Sequence, residues 1–370
     1  MTDSAVTIVP VDLQDTAAPQ DRAYDIEIAA GRLDHAARRT LEVVDPSGVI
    51  LVTDTTVGRL YGGQVVTGFE TRGVKTTVLT VPAGERSKSV DQANQLWMQL
   101  LAAGADRRAV VVALGGGVVG DLAGFIAASF ARGVDFVQLP TTLLAQVDSS
   151  VGGKVGINLP AAKNMVGAFW QPKLVLIDPL VLQSLPDREF GAGLAEVVKY
   201  GVIMDGEFFE MLAANVEPIL ARDPQIMQKV VARCCELKAD VVLDDELETT
   251  GRRAILNYGH TFAHALESIT GYGQLLHGEA VSIGMLCASR LAEQLGMISS
   301  DVTERQTHLL TSLGLPTALP EVDRPQMLEA MKHDKKAERG RIHFILPTRL
   351  GEVISVAEVE PHQVAAALGS

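Results

Sequence analysis

The sequence has few cysteines and no long hydrophobic run. Its 3 cysteines, Cys234, Cys235 and Cys287, do not form the Cys-x-x-Cys spacing of thiolate metal sites or redox motifs. We therefore expect free thiols in a reducing cytosol, not a disulfide framework. No apolar run approaches the roughly 20 residues that a membrane-spanning helix needs. Residues 1–22 lack the basic start and apolar core of a signal peptide, so we expect a cytoplasmic protein.

Positive charge is also in deficit. Lys and Arg together number 32 against 45 Asp and Glu, which gives a formal net charge of −13. Such a balance argues against nucleic acid or an anionic membrane as the main partner, although it leaves room for a local basic pocket. The His-Glu-x-x-His pattern of zinc proteases is absent, so peptide hydrolysis is not indicated.

Short apolar runs alternate with helical stretches in the first half of the chain. We predict strands at Gly48–Thr53, Lys75–Val81, Ala109–Leu114, Val134–Leu139 and Leu174–Ile177, with a helix over Val90–Ala103. Continuous apolar runs without alternation suit strands that are covered on both faces. The pattern therefore favours a parallel sheet with helical crossovers.

Helical patterns dominate after Pro186. We predict helices over Phe190–Tyr200, Met204–Leu220, Pro224–Val242, Gly259–Ile269, Gly278–Leu295 and Asp301–Leu313. At 370 residues, the chain is long enough for two domains. We predict a flexible N-terminal extension over residues 1–22, an α/β domain over 23–185 and a mostly α-helical domain over 186–370.

A glycine cluster points to a nucleotide site. Leu114–Asp121 reads LGGGVVGD between a predicted strand and a predicted helix, and it satisfies G-x-G-x-x-G. The acidic residue expected about 20 positions later is missing, but Asp54 ends an earlier strand and could hold a ribose. Glu85 and Lys88 lie in another loop after a strand. The alternative is a glycine turn that only permits close packing, with solvated charges nearby.

A polar cluster surrounds the segment Pro140–Lys154. Its residues with functional side chains are Thr141, Thr142, Asp148, Lys154, Lys163 and Asn164, and Arg132 precedes the strand that leads into it. Several cations near strand ends, in a chain of net negative charge, suggest an anion pocket. Taken singly, each lysine could equally be solvent-exposed.

Three of the 8 histidines lie close together in the second half. His260 and His264 are spaced i, i+4 and project from one helical face, and His277 follows at the start of the next helix. Glu196, with Lys199 one turn away, adds a carboxylate. One Glu and two His form an open divalent site. The spacing does not decide which two histidines bind the metal.

The motifs together resemble the 3-dehydroquinate synthase family. They occur in the family's order between residues 50 and 340, as PAGERSK, GGGVVGD, PTTLLAQVDSSVGGK, KNMVGAFWQP, GLAEVVKYG, CCELKADVV, NYGHTFAHA, HGEAVSIGM and HDKK. The resemblance implies a Rossmann-like domain followed by a helical domain. Tyr258 and Ala263 stand where the family commonly has Leu and Gly, and Leu247 stands where an Arg is common.

The resemblance also implies residue roles. NAD would be bound by Asp54, Glu85, Lys88, Gly117, Val118, Val119, Gly120, Asp121, Thr141, Thr142, Leu182 and Ser184. Zinc or cobalt would be held by Glu196, His260 and His277. The catalytic residues would be Asp148, Lys154, Lys199, Lys238, Arg253, Asn257 and His264. All of these except Asp148 would also bind substrate, together with Arg132, Lys163, Asn164, Lys335 and Lys336.

The activity implied is conversion of 3-deoxy-D-arabino-heptulosonate 7-phosphate to 3-dehydroquinate and phosphate, in aromatic amino-acid biosynthesis. It would proceed by transient oxidation with NAD, phosphate elimination, re-reduction and aldol closure, in a homodimer. Three rivals remain: a cyclase for another sugar phosphate, a metal-dependent polyol dehydrogenase, and a nucleotide-binding scaffold without activity.

Overall fold

The computed structural model describes residues 5–13, 22–160, 162–271, 273–332, 342–357 and 359–369. These residues form two compact units. The first unit comprises Met1–Leu185 and Met227–Leu247, and the second comprises Pro186–Ile226 and Glu248–Ser370. Among the described residues, no helix combines the length and apolar character needed to cross a membrane.

The helices follow one another along the whole chain. They are α1 Ala36–Val43, α2 Gly63–Glu70, α3 Val90–Ala102, α4 Gly117–Ser129, α5 Asp187–Ile203, α6 Gly206–Ala214, α7 Val216–Leu220, α8 Pro224–Asp244, α9 His260–Thr270, α10 His277–Gln294, α11 Ser300–Ser312, α12 Arg324–Lys332 and α13 Pro361–Ala367.

A seven-stranded sheet forms the centre of the first unit. Its strands are β1 Thr7–Val11, β2 Tyr24–Ile28, β3 Val49–Asp54, β4 Thr76–Val81, β5 Val110–Gly115, β6 Asp135–Pro140 and β9 Leu174–Ile177. They lie in the order β1-β2-β9-β6-β5-β3-β4. Only β1 and β2 pair antiparallel, and the remaining neighbours are parallel. β7 Lys154–Leu159 and β8 Ala162–Phe169 form a separate antiparallel hairpin.

The apolar runs of the sheet are buried on both faces. Every residue of β5 is buried. Val111 and Ala113 pack into one hydrophobic cluster with α3 and α4, whereas Val110, Val112 and Leu114 pack into another on the opposite face. Neither face of β5 meets solvent, and this explains why polar residues do not alternate with apolar ones in this run.

The order of the strands contains a switch point between β3 and β5. β3 has β4 on one side and β5 on the other, so the chain reverses its direction of winding between β3 and β5. In open α/β sheets, ligands bind at the carboxyl ends of the strands at such a switch point.

The second unit consists mainly of helices. α10 packs against α5, α9 and α11, and it also contacts the first strand of an antiparallel pair. That pair is β10 Phe344–Arg349 and β11 Glu352–Val356. α10 is buried along most of its length, so it is the central helix of this unit.

Two boundaries differ from the sequence prediction. The flexible extension predicted over residues 1–22 is wrong for Thr7–Val11, which pairs with β2 and buries Val9 and Val11. Met227–Leu247, predicted in the second domain, belongs to the first unit. Within that unit, the Cys235 thiol lies 3.3 Å from the carbonyl oxygen of Gln146.

Candidate functional site

Three ligand-type side chains converge in the second unit. Glu196 lies in the middle of α5, and His260 and His277 are the first residues of α9 and α10. Their ligand atoms all lie within 4.8 Å of one another. The Nε2 atoms of both histidines are 3.6 Å from Glu196 Oε1. One carboxylate and two imidazoles aimed at a common point can hold a divalent cation and leave coordination positions for substrate oxygens.

Hydrogen bonds to Nδ1 orient the two imidazoles. His260 Nδ1 lies 3.1 Å from the carbonyl oxygen of Tyr258, and His277 Nδ1 lies 3.4 Å from Glu267 Oε2. With Nδ1 donating to an oxygen, Nε2 is left with a lone pair for a metal. Sequence reasoning missed Glu267. Its position seven residues after His260, two turns along α9, was the available signal.

The buried charge of this cluster fits a cation. Glu196 is 1% exposed and Lys199 is 2% exposed, and the two form an ion pair through Glu196 Oε2. Apart from the Lys199 ammonium, no described residue donates a hydrogen bond to a carboxylate oxygen of Glu196. Because a buried carboxylate with few donors is unfavourable, a cation held by Glu196, His260 and His277 would stabilise this arrangement.

His277 is held toward its charged form. Burial lowers the pKa of His277, but the hydrogen bond to Glu267 and the negative charge of Glu196 outweigh burial and hold the pKa above its ordinary value. The same negative charges that favour a proton also favour a metal cation, which would compete with protons for the imidazole.

Other predicted residues surround the cluster within the second unit. The His264 ring centroid lies 5.5 Å from that of His260 and 6.3 Å from that of His277. Arg253 is buried, and its Nε lies 3.8 Å from Glu248 Oε1. Asn257 is half-buried at the end of the 3-10 helix Arg252–Asn257.

In the first unit, three predicted nucleotide segments end at one edge of the sheet. Thr53 pairs with Leu114 and Gly115 with Pro140, so Asp54, the glycine cluster and Thr141 follow neighbouring strand ends. The amide of Thr141 donates to the carbonyl of Gly115 at 2.9 Å. These residues therefore lie at the switch point between β3 and β5.

The glycine cluster brings its backbone close to the next strand end. A Cβ at Gly116 would lie 2.9 Å from Thr142 Cγ2. α4 then begins at Gly117, and its first amides are available to an anion. Val119 is buried against the sheet, so only its backbone can reach a ligand. Gly117, Val118 and Gly120 are half-buried.

Lys88 is the centre of a charged network. It is buried, and its Nζ lies 2.6 Å from both Asp121 Oδ2 and Asn164 Oδ1, and 3.8 Å from Glu85 Oε1. Burial raises the pKa of Asp121 above its ordinary value, and the Lys88 ammonium opposes that effect. Lys88 and Glu85 therefore interact with neighbouring residues of the first unit and are not isolated charges in solvent.

Asn158, which sequence reasoning missed, ties this network to the β7–β8 hairpin. Its amide donates to the carbonyl of Lys88 at 2.8 Å. Its side-chain Nδ2 donates to Glu85 Oε1 at 2.7 Å, and its Oδ1 accepts from the amide of Asn164 at 2.9 Å. A polar residue between Ile157 and Leu159, within an otherwise apolar strand end, was the only sequence signal.

The remaining predicted NAD residues have structural contacts of their own. Asp54 Oδ1 accepts hydrogen bonds from the amides of Thr56 and Val57. Leu182 and Ser184 lie in the 3-10 helix Pro179–Ser184. Leu182 is buried, and Ser184 Oγ lies 2.7 Å from the Tyr61 hydroxyl.

The predicted substrate residues of the first unit occupy different environments. Lys238 Nζ lies 2.8 Å from Asp148 Oδ1. Lys154 is exposed at the start of β7, and Lys163 is half-buried in β8. Arg132 is exposed in the turn after α4 with a φ of 71°. Lys335 and Lys336 lie outside the described residues.

The cysteines are free and buried. Burial raises the pKa of Cys235 to about 12 and that of Cys287 to about 11. Thiolates are therefore scarce at neutral pH, which argues against a nucleophilic or redox role for these two residues.

Comparison with known proteins gives matches over both units. Residues 78–192 match the family model described as 3-dehydroquinate synthase N-terminal, and residues 193–337 match 3-dehydroquinate synthase C-terminal. A 3-dehydroquinate synthase from Rhodopirellula baltica is 50% identical over 354 residues, which cover 94% of each chain.

Solved structures resemble the chain along nearly its full length. A 2-epi-5-epi-valiolone synthase from Streptomyces hygroscopicus with NAD+ and Zn2+ bound has a TM-score of 0.87 and 29% identity, covering 96% of this chain and 98% of that one. A 2-deoxy-scyllo-inosose synthase complexed with carbaglucose-6-phosphate, NAD+ and Co2+ has a TM-score of 0.88 and 24% identity, covering 98% and 99%. The latter likeness concerns the fold.

Proposed function

This chain belongs to the 3-dehydroquinate synthase family, and we propose that it converts 3-deoxy-D-arabino-heptulosonate 7-phosphate to 3-dehydroquinate and phosphate in aromatic amino-acid biosynthesis. The observation that carries the proposal is the convergence of Glu196, His260 and His277 within 4.8 Å. A family member without a competent metal cluster would not support this chemistry.

We propose that Glu196, His260 and His277 hold one zinc or cobalt ion. The fit rests on the buried carboxylate, the two Nε2 atoms aimed at it and the oxygen partners of both Nδ1 atoms. Nitrogen and oxygen ligands suit both metals. The related valiolone synthase with Zn2+ supports zinc as one of the two.

NAD is proposed to bind at the switch point of the first unit. The α4 N-terminus after Gly116 would receive the pyrophosphate, and Asp54, whose Oδ1 already caps the next turn, would bind a ribose through Oδ2. The wider set consists of Glu85, Lys88, Gly117, Val118, Val119, Gly120, Asp121, Thr141, Thr142, Leu182 and Ser184. Lys88 would keep the Asp121 carboxylate paired beside the glycine loop.

When bound, NAD would supply reversible oxidation of a substrate alcohol, and the metal would polarise the oxygens that it coordinates. The chain's own residues then have to bind, orient and neutralise. Lys199 forms an ion pair with Glu196 and offsets its negative charge. His264, whose ring lies beside those of the two proposed ligands, would move a proton.

The other side chains are proposed to fix one reactive conformer of the substrate. Its carboxylate and hydroxyls would be contacted by Lys154, Lys163, Asn164, Lys199, Lys238, Arg253, Asn257 and His264. Asp148 would orient the Lys238 ammonium. The substrate phosphate would be contacted by Arg132 with Lys335 or Lys336. Guanidinium and ammonium groups neutralise a leaving phosphate. Correct orientation of intramolecular reactions is worth roughly 7–11 kcal/mol of barrier.

We also propose that the protein is a cytoplasmic homodimer. Free, buried cysteines support a reducing compartment. Sedimentation equilibrium of the purified chain would test the dimer: a mass of 39.4 kDa for the chain would have to double, and a single-chain mass at micromolar concentration would contradict it.

The activity test uses the purified chain with the heptulosonate phosphate, NAD and either Zn2+ or Co2+. We expect equal molar amounts of phosphate and 3-dehydroquinate with no net NADH. Parallel reactions with sedoheptulose 7-phosphate and with glycerol test the rival cyclase and dehydrogenase. Turnover of sedoheptulose 7-phosphate alone, or net NADH from glycerol, would reject the proposal.

A further inference from the structure

A chain of buried polar side chains begins at Tyr258 in the second unit. The Tyr258 hydroxyl lies 2.7 Å from Gln306 Oε1 and 3.0 Å from the carbonyl oxygen of Met285. Gln306 Nε2 donates to Ser289 Oγ at 3.0 Å, and Ser289 Oγ lies 2.9 Å from Thr303 Oγ1. Tyr258, Gln306 and Ser289 are fully buried.

Such a network needs a reason to exist in an otherwise apolar core. Apolar side chains of similar size would pack there without the desolvation penalty of hydroxyl and amide groups. Here each polar side chain has a partner, and a fully satisfied buried network holds its members in one arrangement.

The network contacts the segment that carries His260. The carbonyl oxygen of Tyr258 lies 3.1 Å from His260 Nδ1. Gly259, with a φ of 78°, lies so close to α10 that a Cβ would be 2.7 Å from the amide nitrogen of Met285. The Tyr258 side chain and the Gly259 backbone therefore meet the same turn of α10.

The same helix carries the other histidine. His277 is the first residue of α10, and Met285 lies further along this helix. Because an α-helix is stiff over two turns, fixing Tyr258 against Met285 also fixes where His260 lies relative to His277. Their ring centroids are 5.2 Å apart.

We propose that the Tyr258 hydroxyl, held by Gln306 and the Met285 carbonyl, is a positioning group that sets the spacing of His260 and His277 for the metal. The inference rests on the proposed metal site and deepens it. Tyr258 acts through the backbone and does not touch the ion. Its removal should therefore weaken metal binding without removing a ligand.

The test compares Tyr258→Phe with the parent protein and with Ser282→Ala. Phe retains the ring and loses only the hydroxyl. Ser282 lies on α10 and is buried, but its hydroxyl bonds to the carbonyl of Pro316 at 2.7 Å instead of joining this network. Both variants thus lose one buried hydroxyl on or against the same helix, and only one of them lies beside a proposed ligand.

Each metal-free protein is titrated with Co2+ against a chelator, and the visible absorption of bound Co2+ and the Tm are recorded. We expect about tenfold weaker Co2+ binding and shifted cobalt bands in Tyr258→Phe, since altered support of a ligand commonly costs tenfold or more in affinity. Ser282→Ala should bind Co2+ within about twofold of the parent even if its Tm falls comparably.

The possible failures are distinguishable. Parent-like Co2+ affinity and spectrum in Tyr258→Phe, whatever its Tm, would overturn the positioning role alone. A parent protein that binds no Co2+ would overturn the proposed metal site and this inference with it. If Tyr258→Phe does not fold, Gln306→Met removes the 2.7 Å acceptor and is judged by the same criteria.

Discussion

Lys238 Nζ donates a hydrogen bond to Asp148 Oδ1 at 2.8 Å, and it also bonds to the main-chain oxygen of Asp148. Lys238 lies on α8 and is 6% exposed, and Asp148 lies in the short π-helical turn after β6. The Lys238 ammonium therefore fixes the conformation of this turn, and it also offsets the negative charge of Asp148. Both residues were predicted to take part in catalysis, and the pair fixes the direction of the Asp148 carboxylate.

Lys238→Met should show that Lys238 contributes more to catalysis than to the stability of the fold. Met retains most of the stem and loses the charge, so we expect turnover to fall by about 100-fold, similar to the loss of an acid–base or orienting group. Because Asp148 is partly exposed, the free energy of unfolding should fall by only about 1–2 kcal/mol. Steady-state rates and urea unfolding measure the two effects. Lys229→Met, at an exposed position of the same helix, is the matched control and should leave both unchanged.

The sheet shows what the sequence pattern could predict. β3, β4, β5, β6 and β9 begin and end within one residue of their predicted bounds, because long apolar runs leave little ambiguity in a buried parallel sheet. β1, β2 and the β7–β8 hairpin were not predicted. β1 has five residues that alternate in burial and include Pro10, and the hairpin contains Gly156 and Gly167. Their strand conformation depends on partners distant in sequence.

The metal cluster shows the corresponding limit for sites. The sequence spacing left open which two of His260, His264 and His277 bind the metal, and the cluster within 4.8 Å comprises His260, His277 and Glu196. Sequence spacing reports neighbours on one helix. It does not report how α5, α9 and α10 pack, and that packing selects the histidine. The residues alone made His277 one of three candidates, and the resemblance to a family selected it over His264.

Glu196→Gln tests the metal cluster directly. The amide has nearly the same shape as the carboxylate but lacks the charge that attracts a cation, so bound metal should fall below about one tenth of an ion per chain and turnover by at least about 100-fold. Metal content by mass spectrometry and product formation are the measurements. Glu210→Gln, which removes a carboxylate paired with Arg305 in the same unit, should retain metal and activity. A fully metallated Glu196→Gln protein would contradict the assignment.

Lys154→Ala should reduce activity with little effect on stability. The side chain is exposed at the start of β7, and exposed substitutions usually change stability by within about 0.5 kcal/mol. We expect turnover to fall at least about tenfold because a positive charge near the substrate is lost. Lys75→Ala removes an exposed lysine directly before β4 and should leave turnover unchanged. Equal rates in the two variants would remove Lys154 from the substrate site.

Asn158→Ala should weaken NAD binding. The side chain links Glu85 to the amide of Asn164, so its loss frees the loop that contains Glu85 and Lys88. We expect the Kd for NAD to rise by about three- to tenfold. This factor corresponds to the free energy of about one hydrogen bond that holds the loop in its binding conformation. Calorimetric titration measures the Kd. Asn94→Ala, on an exposed face of α3, serves as control, and unchanged NAD affinity in Asn158→Ala would show that the link does not support the nucleotide loop.

Glu27 gives a pH-dependent prediction for the first unit. Its carboxylate is buried in β2, with Arg32 Nη2 2.7 Å from Oε2 and Arg39 Nε 2.6 Å from Oε1. Burial raises the pKa of Glu27, but the hydrogen bonds and charges of Arg39 and Arg32 outweigh it and hold the pKa below the ordinary 4.5. The native state therefore binds this proton less readily than the unfolded chain. The stabilisation is complete above the unfolded pKa and is lost as the pH falls through the lowered native value.

Glu27→Gln should remove this part of the acid sensitivity. Near neutral pH the variant should be less stable than the parent by about 2 kcal/mol, which is the usual contribution of hydrogen bonds to a charged group. Below the native pKa of Glu27 the parent carboxyl is itself protonated, so the difference in unfolding free energy should shrink toward zero. Both tryptophans, Trp97 and Trp170, lie in the first unit, so urea unfolding followed by tryptophan fluorescence reports on this unit. Parallel curves of unfolding free energy against pH for parent and variant would mean that the arginine pair does not hold Glu27 ionised, because only a native pKa below the unfolded one makes the two curves converge in acid.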